Sequence, residues 1–271
     1  MNQHWKPASW RRACIACLAV PVLLHATPAL AALDAPACSR LRERGVIDAS
    51  APVGCERLAV VRFSYVDFDG QHHDDGELMV LATIAPEVRQ LFDRLYQRRF
   101  PLARARLIEH YHGDDAASMQ DNNTSAFNNR PVTGGGPPSL HAYGLAIDIN
   151  PVQNPFIQPG KIGNARVSPA AGRAYLDRPG VSAGKSLQPG MAENVAALFA
   201  EAGFTVWGGQ WKSPVDYQHF QFTRAFAERL AALPEAQARQ LYLRQLARLK
   251  NCLREAVGNR TNNADTICAL K

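Results

Sequence analysis

The chain has 271 residues and a formal net charge of +6, but three of its cations (Lys6, Arg11 and Arg12) precede an apolar run near the N-terminus. That run is too short to span a bilayer, and a small-x-small site ends at Ala31, which together predict a secretory signal peptide over residues 1–31. Without these three cations the net charge falls from +6 to +3, so nucleic acid loses support as a partner. No cysteine of the sequence lies in a motif suited to lipid anchoring, so we do not expect a lipid anchor. We therefore expect an exported protein, periplasmic or extracellular, with no membrane span after cleavage.

Four cysteines lie beyond the leader, at Cys38, Cys55, Cys252 and Cys268. An even number of cysteines in an exported protein favours disulfides, and four cysteines allow three pairings. We favour Cys38 with Cys55 and Cys252 with Cys268, because short loops at the two ends can close independently. The rival interpretation is a cysteine-based zinc site, but this part of the chain has no C-x-x-C pair.

The first predicted elements are two paired strands over residues 59–68 and 76–84, with an Asp69-Gly70 turn signal between them. Residues 85–100 then place apolar side chains at helical spacing and predict a helix that faces the core. Residues 104–111 are compatible with a further strand.

Two polar segments rich in Gly and Pro predict long loops, over residues 114–138 and 151–190. Long loops in a compact domain are usually disordered or functional. They flank residues 141–150, which we interpret as the active-site strand.

Helical spacing returns at residues 191–202, and residues 219–222 alternate like a strand. Residues 234–256 carry one apolar stripe, with Arg and Gln on the other positions. This pattern predicts a long helix packed on the domain, in preference to a helix that binds a partner.

The chemistry depends on two short motifs. His141 lies in a Gly/Pro-rich turn and Asp148 lies seven residues later in an apolar run, where an unpaired charge would be costly. Asp216 lies three residues before His219, which begins a predicted strand. Two His and one Asp form a plausible zinc ligand set that leaves a fourth position for water, as in catalytic zinc sites. Asp216 can then act as a general base.

These motifs resemble the zinc D-alanyl-D-alanine carboxypeptidase family, the VanY-like group. The resemblance rests on S-x-H-x-x-G-x-A-x-D, which ends at Asp148, and on D-x-x-H-F, which begins at Asp216. It also includes N-T-S-A-F-N over residues 123–128, leading to Arg130. The resemblance extends from about Val60 to Phe222, and the C-terminal tail lies outside it.

The resemblance implies one Zn(II) ion per chain, held by His141, Asp148 and His219. It implies that Asp216 is the general base and that Arg130 both contacts substrate and stabilises the developing oxyanion. Ser139 would contact substrate or orient the loop that carries the first ligand.

The implied fold is α+β and Hedgehog/D,D-peptidase-like, with an antiparallel sheet that carries the zinc site on one face and helices packed on the other. We expect a signal peptide over residues 1–31, a zinc peptidase domain over residues 32–223, and a C-terminal helical extension over residues 224–271. The chain is expected to be a monomer.

The implied substrates are peptidoglycan stem peptides or muropeptides. D,D-carboxypeptidase activity is favoured, and the alternative within the family is an endopeptidase that cuts between L-Ala and D-Glu. A zinc-bearing cell-wall-binding module without turnover is a third interpretation, but it gives no reason to keep both Asp216 and Arg130. A purely structural envelope protein would require the zinc pattern to be accidental.

Overall fold

The structure is a computed structural model that describes residues 1, 32–160, 164–178, 185–258 and 268. The predicted signal peptide, apart from Met1, lies outside the described residues. The α-helices are α1 (Ala35–Glu43), α2 (Ala85–Gln97), α3 (Asp115–Gln120), α4 (Ala196–Glu201), α5 (Arg224–Ala232) and α6 (Glu235–Gly258). The strands are β1 (Leu58–Val66), β2 (His72–Leu81), β3 (Arg104–Ala105), β4 (Asn123–Thr124), β5 (Ala146–Asp148), β6 (Phe156–Gln158), β7 (Arg166–Ser168), β8 (Val206–Trp207), β9 (Val215–Asp216) and β10 (His219–Gln221).

The strands form small sheets, so the single sheet expected from the sequence is wrong for the described residues. β1 and β2 form an antiparallel hairpin, β10 lies between β5 and β8, and β6 lies between β7 and β9. β3 and β4 pair in parallel. Most of these strands are two or three residues long, because polar loops interrupt the apolar runs. The mixture of helices and small antiparallel sheets agrees with the α+β class, while the finer fold name remains a prediction.

The hairpin and α2 form the layer of the core that the sequence predicted best. β1 and β2 pair from Leu58 opposite Leu81 to Val66 opposite His72, so the second strand begins four residues before its predicted start. α2 has Pro86 in its first turn, which suits the fixed φ of proline. It buries one apolar face against β1, and the rings of Phe63 and Phe92 lie 4.2 Å apart.

Other predicted elements needed correction. Residues 104–111 contain β3 and a 3₁₀ helix over Ile108–Tyr111 in place of one longer strand. The polar segment 114–138 contains α3 and β4, and the Asp114 side chain caps α3 by accepting a 3.0 Å hydrogen bond from the N–H of Ala117. The helix expected over 191–202 is a 3₁₀ turn followed by α4. These elements are short, so hydrophobic periodicity gave little signal for them.

The long C-terminal helix is confirmed as α6. Its buried positions include Ala238, Tyr242, Leu246 and Leu249, and they join the same core as the hairpin. The Tyr242 hydroxyl donates to the backbone oxygen of Ala202 at 2.9 Å. The apolar stripe therefore packs on the rest of the chain, whereas the domain boundary expected at residue 223 remains a prediction.

Both favoured disulfides are present. Cys38 pairs with Cys55 and Cys252 pairs with Cys268, with Cα atoms 5.6 and 5.7 Å apart. The first joins α1 to the segment before β1, and the second joins α6 to the chain beyond it. Among the helices of the described residues, none is both long and apolar enough to cross a membrane.

Candidate active site

Three side chains that are distant in sequence converge in a buried cluster. His141 lies in the 3₁₀ helix Leu140–Tyr143, Asp148 ends β5, and His219 begins β10. In the antiparallel pairing of β5 with β10, Asp148 and His219 are direct partners. The active-site strand expected over residues 141–150 is therefore a 3₁₀ turn followed by a short strand.

The chain turns at Gly144, between His141 and Asp148. This residue has φ of 65°, in the left-handed region that favours glycine. A Cβ atom at Gly144 would lie 2.5 Å from the backbone nitrogen of Leu81, which donates to the Gly144 oxygen at 3.0 Å. Gly144 therefore lets the 3₁₀ turn end against β2 and lets β5 begin beside β10.

The ligand atoms of the cluster face one another at short range. The Nε2 atom of His141 lies 3.1 Å from Asp148 Oδ2 and 3.1 Å from His219 Nδ1. His219 Nδ1 lies 3.0 Å from Asp148 Oδ1. All three side chains are buried, and no other group of three potential His, Cys, Asp or Glu ligands is found among the described residues.

The remaining nitrogen of each imidazole has an acceptor of its own. His141 Nδ1 lies 2.5 Å from the backbone oxygen of Ala126, and His219 Nε2 lies 2.8 Å from Gln221 Oε1. A carbonyl oxygen can only accept, so each of these nitrogens carries the proton. His141 Nε2 and His219 Nδ1 face Asp148, and each would offer its lone pair to a metal ion bound between them. Such outer partners are usual for histidines that bind a metal.

The electrostatics of the cluster favour a charged carboxylate. Burial alone would raise the pKa of Asp148, but the charges and hydrogen bonds of His141 and His219 lower it below its usual value. Burial alone would lower the pKa of His219, but the hydrogen bond and charge of Asp148, with a contribution from Asp216, raise it to about 9. Both shifts have the same cause, which is the attraction between the Asp148 carboxylate and the imidazoles beside it.

The donor set fits zinc. Two imidazole nitrogens and one carboxylate oxygen are a known catalytic combination, with the fourth position left to water or substrate. Tetrahedral zinc with ligand bonds of about 2.0–2.1 Å holds its donor atoms roughly 3.3 Å apart. The two imidazole nitrogens lie 3.1 Å apart, close to that value, and Asp148 presents a separate oxygen to each of them, Oδ2 to His141 at 3.1 Å and Oδ1 to His219 at 3.0 Å. His141, Asp148 and His219 are therefore suited to hold the ion.

Asp216 lies in β9, beside the cluster but outside the ligand set. Its Oδ1 atom is buried and has no hydrogen-bond partner among the described residues. Burial and the negative charge of Asp148 raise the pKa of Asp216 to about 7, against the lowering effects of His219, Gln218 and Arg130. A carboxyl group with this pKa can both accept and donate a proton near neutral pH.

Arg130 is held beside Asp115. Its Nη2 atom lies 3.0 Å from Asp115 Oδ2, and its Nη1 donates to the backbone oxygen of Pro131 at 3.3 Å. The Nε atom is buried and has no hydrogen-bond partner among the described residues. Among the groups that lower the pKa of Asp216, Arg130 has the smallest effect, which it exerts through its charge.

Ser139 supports the loop that carries the first ligand. It caps the 3₁₀ helix, where its Oγ accepts a 3.3 Å hydrogen bond from the N–H of His141. Its side chain is buried, so of its two expected roles this contact matches loop orientation. Contact with substrate remains a prediction.

Several residues of the site were missed in the sequence. Gln221 lies two residues after His219 in β10, and positions i and i+2 of a strand share a face, which is the signal that could have found it. Trp211 also borders the site, with its ring centre 5.5 Å from that of His219. Arg178 is fully buried although it lies in a segment that the sequence predicts as a loop.

The comparison with known protein families concerns this same part of the chain. Residues 133–222 match a family model described as D-alanyl-D-alanine carboxypeptidase. The matched segment contains Ser139, the three candidate ligands and Asp216, whereas Arg130 precedes it and α6 follows it. The resemblance predicted from the motifs is confirmed over this segment. No curated protein and no solved structure matches the chain.

Proposed function

We propose that the protein is a zinc-dependent peptidase that hydrolyses peptidoglycan stem peptides, with D-alanyl-D-alanine carboxypeptidase as the favoured activity. The buried convergence of His141, Asp148 and His219 carries the proposal, because their donor atoms face one another and the outer nitrogen of each imidazole has an acceptor of its own. The match of this segment to a peptidase family supports it independently.

The ligand residues would hold one zinc ion through His141 Nε2, His219 Nδ1 and an oxygen of Asp148. Zinc, when bound, supplies Lewis-acid chemistry that polarises a carbonyl group and makes water nucleophilic near neutral pH. The backbone oxygen of Ala126 and the side chain of Gln221 keep the two imidazoles in the required orientation.

Asp216 would move the proton. Its carboxylate takes a proton from the attacking water as the new C–O bond forms, and it returns that proton to the nitrogen of the leaving amine as the peptide C–N bond breaks. The unpartnered Oδ1 atom is the available acceptor. The pKa of about 7 suits a group that works in both directions.

Arg130 would stabilise negative charge on the substrate. The oxygen of the scissile carbonyl gains negative charge during attack, and a preorganised guanidinium beside it lowers the energy of that state. The ion pair with Asp115 holds the guanidinium in place while Nε stays without a partner.

We also propose export with removal of residues 1–31, and action as a monomer in the periplasm or outside the cell on peptidoglycan or muropeptides. The two disulfides are compatible with an oxidising compartment.

An endopeptidase that cuts between L-Ala and D-Glu is the alternative activity at the same site. A binding module without turnover gives no reason to keep both Asp216 and Arg130.

The test is to incubate the mature chain, residues 32–271, with purified muropeptides that carry pentapeptide stems, and to identify the products by mass spectrometry. Release of terminal D-Ala, lost on chelation and restored by zinc, is the expected result. Cleavage between L-Ala and D-Glu would select the alternative activity. Zinc binding with retention of muropeptides but no cleavage would establish the binding module and overturn the proposal.

A further inference from the structure

Arg178 is a fully buried cation in the segment between β7 and α4, outside the ligand set and outside the roles assigned to Asp216 and Arg130. Burial of a charged group is costly unless hydrogen bonds and an opposite charge compensate for it. The partners of Arg178 therefore indicate what this charge holds together.

Every N–H of the guanidinium has an acceptor. Nε donates to Glu193 Oε1 at 2.8 Å and Nη2 pairs with Glu193 Oε2. Nη1 donates to the backbone oxygens of Gln153 at 2.6 Å and Tyr175 at 3.4 Å. Nη2 also donates to Asn154 Oδ1 at 2.9 Å. The fixed fork of an arginine can meet this set, whereas the single nitrogen of a lysine cannot.

One face of the guanidinium contacts the segment that carries the base. Its central carbon lies 4.2 Å from the ring centre of Tyr217, the residue that follows Asp216. Both backbone polar groups of Tyr217 are hydrogen-bonded. Its N–H donates to the backbone oxygen of Pro155 at 3.3 Å, and its backbone oxygen accepts from Trp207 Nε1 at 2.8 Å.

The edge of the Arg178 guanidinium is linked to the end of β5, which carries Asp148, through the side chain of Asn154. Asn154 Nδ2 donates to the backbone oxygen of Ile149 at 3.0 Å, and Ile149 follows Asp148. Asn154 Oδ1 also accepts from the N–H of Ala192 at 2.8 Å. Arg178 thus contacts the neighbour of Asp216 directly and is linked to the neighbour of Asp148 through Asn154.

We propose that Arg178 is a positioning residue of the active site: it fixes Tyr217 on one side and Asn154 on the other, and so sets the position of the Asp216 carboxylate relative to Asp148. The inference rests on the proposed function, because its kinetic readout needs the peptidase activity and its cobalt readout needs only the proposed metal site. Arg178 acts through other residues and does not itself contact the ligand atoms.

The chain offers a matched control in Arg239. This residue on α6 also forms a two-point ion pair with a glutamate, Glu87, donates to a backbone oxygen, that of Thr83, and lies over a tyrosine ring, that of Tyr242. Arg239→Lys should therefore lower stability through the same kinds of contact without reaching the active site.

The experiment compares Arg178→Lys with Arg239→Lys in the zinc-loaded chain, with rates corrected for the folded fraction. Misplacement of a reacting group by about 1 Å can cost roughly 100-fold in rate. We expect kcat to fall roughly 10- to 100-fold in Arg178→Lys, with KM and zinc content near the wild-type values, and to change less than about 2-fold in Arg239→Lys. Equal kcat in the two variants overturns the proposal.

A second variant and a second readout cover other outcomes. Tyr217→Leu removes the ring that Arg178 contacts, so its kcat should fall as it does in Arg178→Lys. Tyr217→Phe keeps the ring and should retain most of the wild-type kcat. A wild-type kcat in Tyr217→Leu overturns the proposal.

The visible spectrum of the cobalt(II)-substituted chain reports the ligand geometry without turnover. It should change in Arg178→Lys and not in Arg239→Lys. If the wild-type chain hydrolyses no muropeptide, the proposed function fails, and an unchanged cobalt spectrum in Arg178→Lys then overturns this inference separately.

Discussion

The three proposed ligand residues and the two proposed catalytic residues, Asp216 and Arg130, differ in how fully their polar atoms are paired. Each imidazole of the ligand set uses one nitrogen on an outer acceptor and directs the other at Asp148. Asp216 and Arg130, in contrast, each retain a buried polar atom without a hydrogen-bond partner among the described residues.

This difference separates the roles of the two groups. A buried polar atom without a partner costs about 1–3 kcal/mol, so a folded chain retains few of them. Under the proposed function, the three ligand residues lack only a cation, whereas Asp216 and Arg130 would use their free atoms on substrate; Arg104 has the same kind of free Nε and tests whether this feature alone assigns a role. The comparison predicts that changes in the first group act on metal binding and changes in the second act on turnover.

The largest expected effect is the loss of zinc from the ligand variants. His141→Ala, Asp148→Ala and His219→Ala each remove one of three protein donors, so zinc content should fall from about one per chain to near none and hydrolysis should fall to background. Elemental analysis of the purified variants measures this. His110→Ala, which changes an exposed histidine, should keep its zinc. Full zinc occupancy in all three ligand variants would refute the site.

Asp216→Asn should show the opposite combination, with zinc retained and turnover lost. The amide keeps the size of the side chain but cannot take a proton, and positioned acid–base groups contribute roughly 10²- to 10⁴-fold in rate. KM should change little if chemistry is slow relative to substrate dissociation. Steady-state kinetics and zinc analysis of the same preparation measure both effects, with Asp93→Asn on the surface of α2 as the control.

The pH dependence sharpens the same prediction. Asp216 accepts a proton only when it is ionised, so kcat/KM should decline as the pH falls through the pKa of Asp216, which is about 7 before a nearby cation lowers it. Release of zinc from Asp216→Asn would make Asp216 a ligand. Full hydrolysis with zinc retained would assign the base to another residue.

Arg130→Met should reduce turnover to a smaller extent. Loss of one donor to a developing oxyanion typically costs about 10²- to 10³-fold in kcat. Arg104→Met is a close control, because Arg104 also pairs with one aspartate, Asp121, at 3.0 Å and also has a buried Nε without a partner. Kinetics of the two variants, compared at equal folded fractions, should show the loss in Arg130→Met alone. Equal losses would make Arg130 a structural residue.

The sequence predicted the proposed ligand residues and the longest elements because short stretches of the sequence carry the patterns that identify them. The hairpin, α2 and α6 are long enough for a repeating apolar pattern, and His141, Asp148 and His219 stand at recognisable spacings. α3 and β4 escaped prediction because they are short and depend on a cap at Asp114 and on pairing with β3.

The supporting contacts of the site were the hardest to predict. The acceptor for His141 is the backbone oxygen of Ala126, and a backbone oxygen leaves no mark in residue identity. Most partners that bury Arg178 are distant in the sequence, with Glu193 15 positions away and Tyr217 39 positions away. Such contacts exist only after the loops have packed. Gln221 is the exception, since its place in β10 beside His219 is visible in the alternation of the strand.

Gln221 therefore gives the smallest effect and the finest test of the comparison between the two groups. Its Oε1 accepts from His219 Nε2 at 2.8 Å, which holds the imidazole with Nδ1 toward Asp148. Gln221→Met keeps a similar length without the acceptor and should weaken zinc binding about 10- to 100-fold, the range for outer partners of metal ligands. Gln221→Glu keeps an acceptor and should stay near the wild-type affinity. Competition with a chromophoric chelator measures the zinc affinity of each variant, and kcat at saturating zinc should change far less than in Asp216→Asn. If Gln221→Met instead kept its zinc affinity and lost turnover, Gln221 would belong with Asp216 and Arg130, and the division between a metal-binding group and a turnover group would be wrong at this residue.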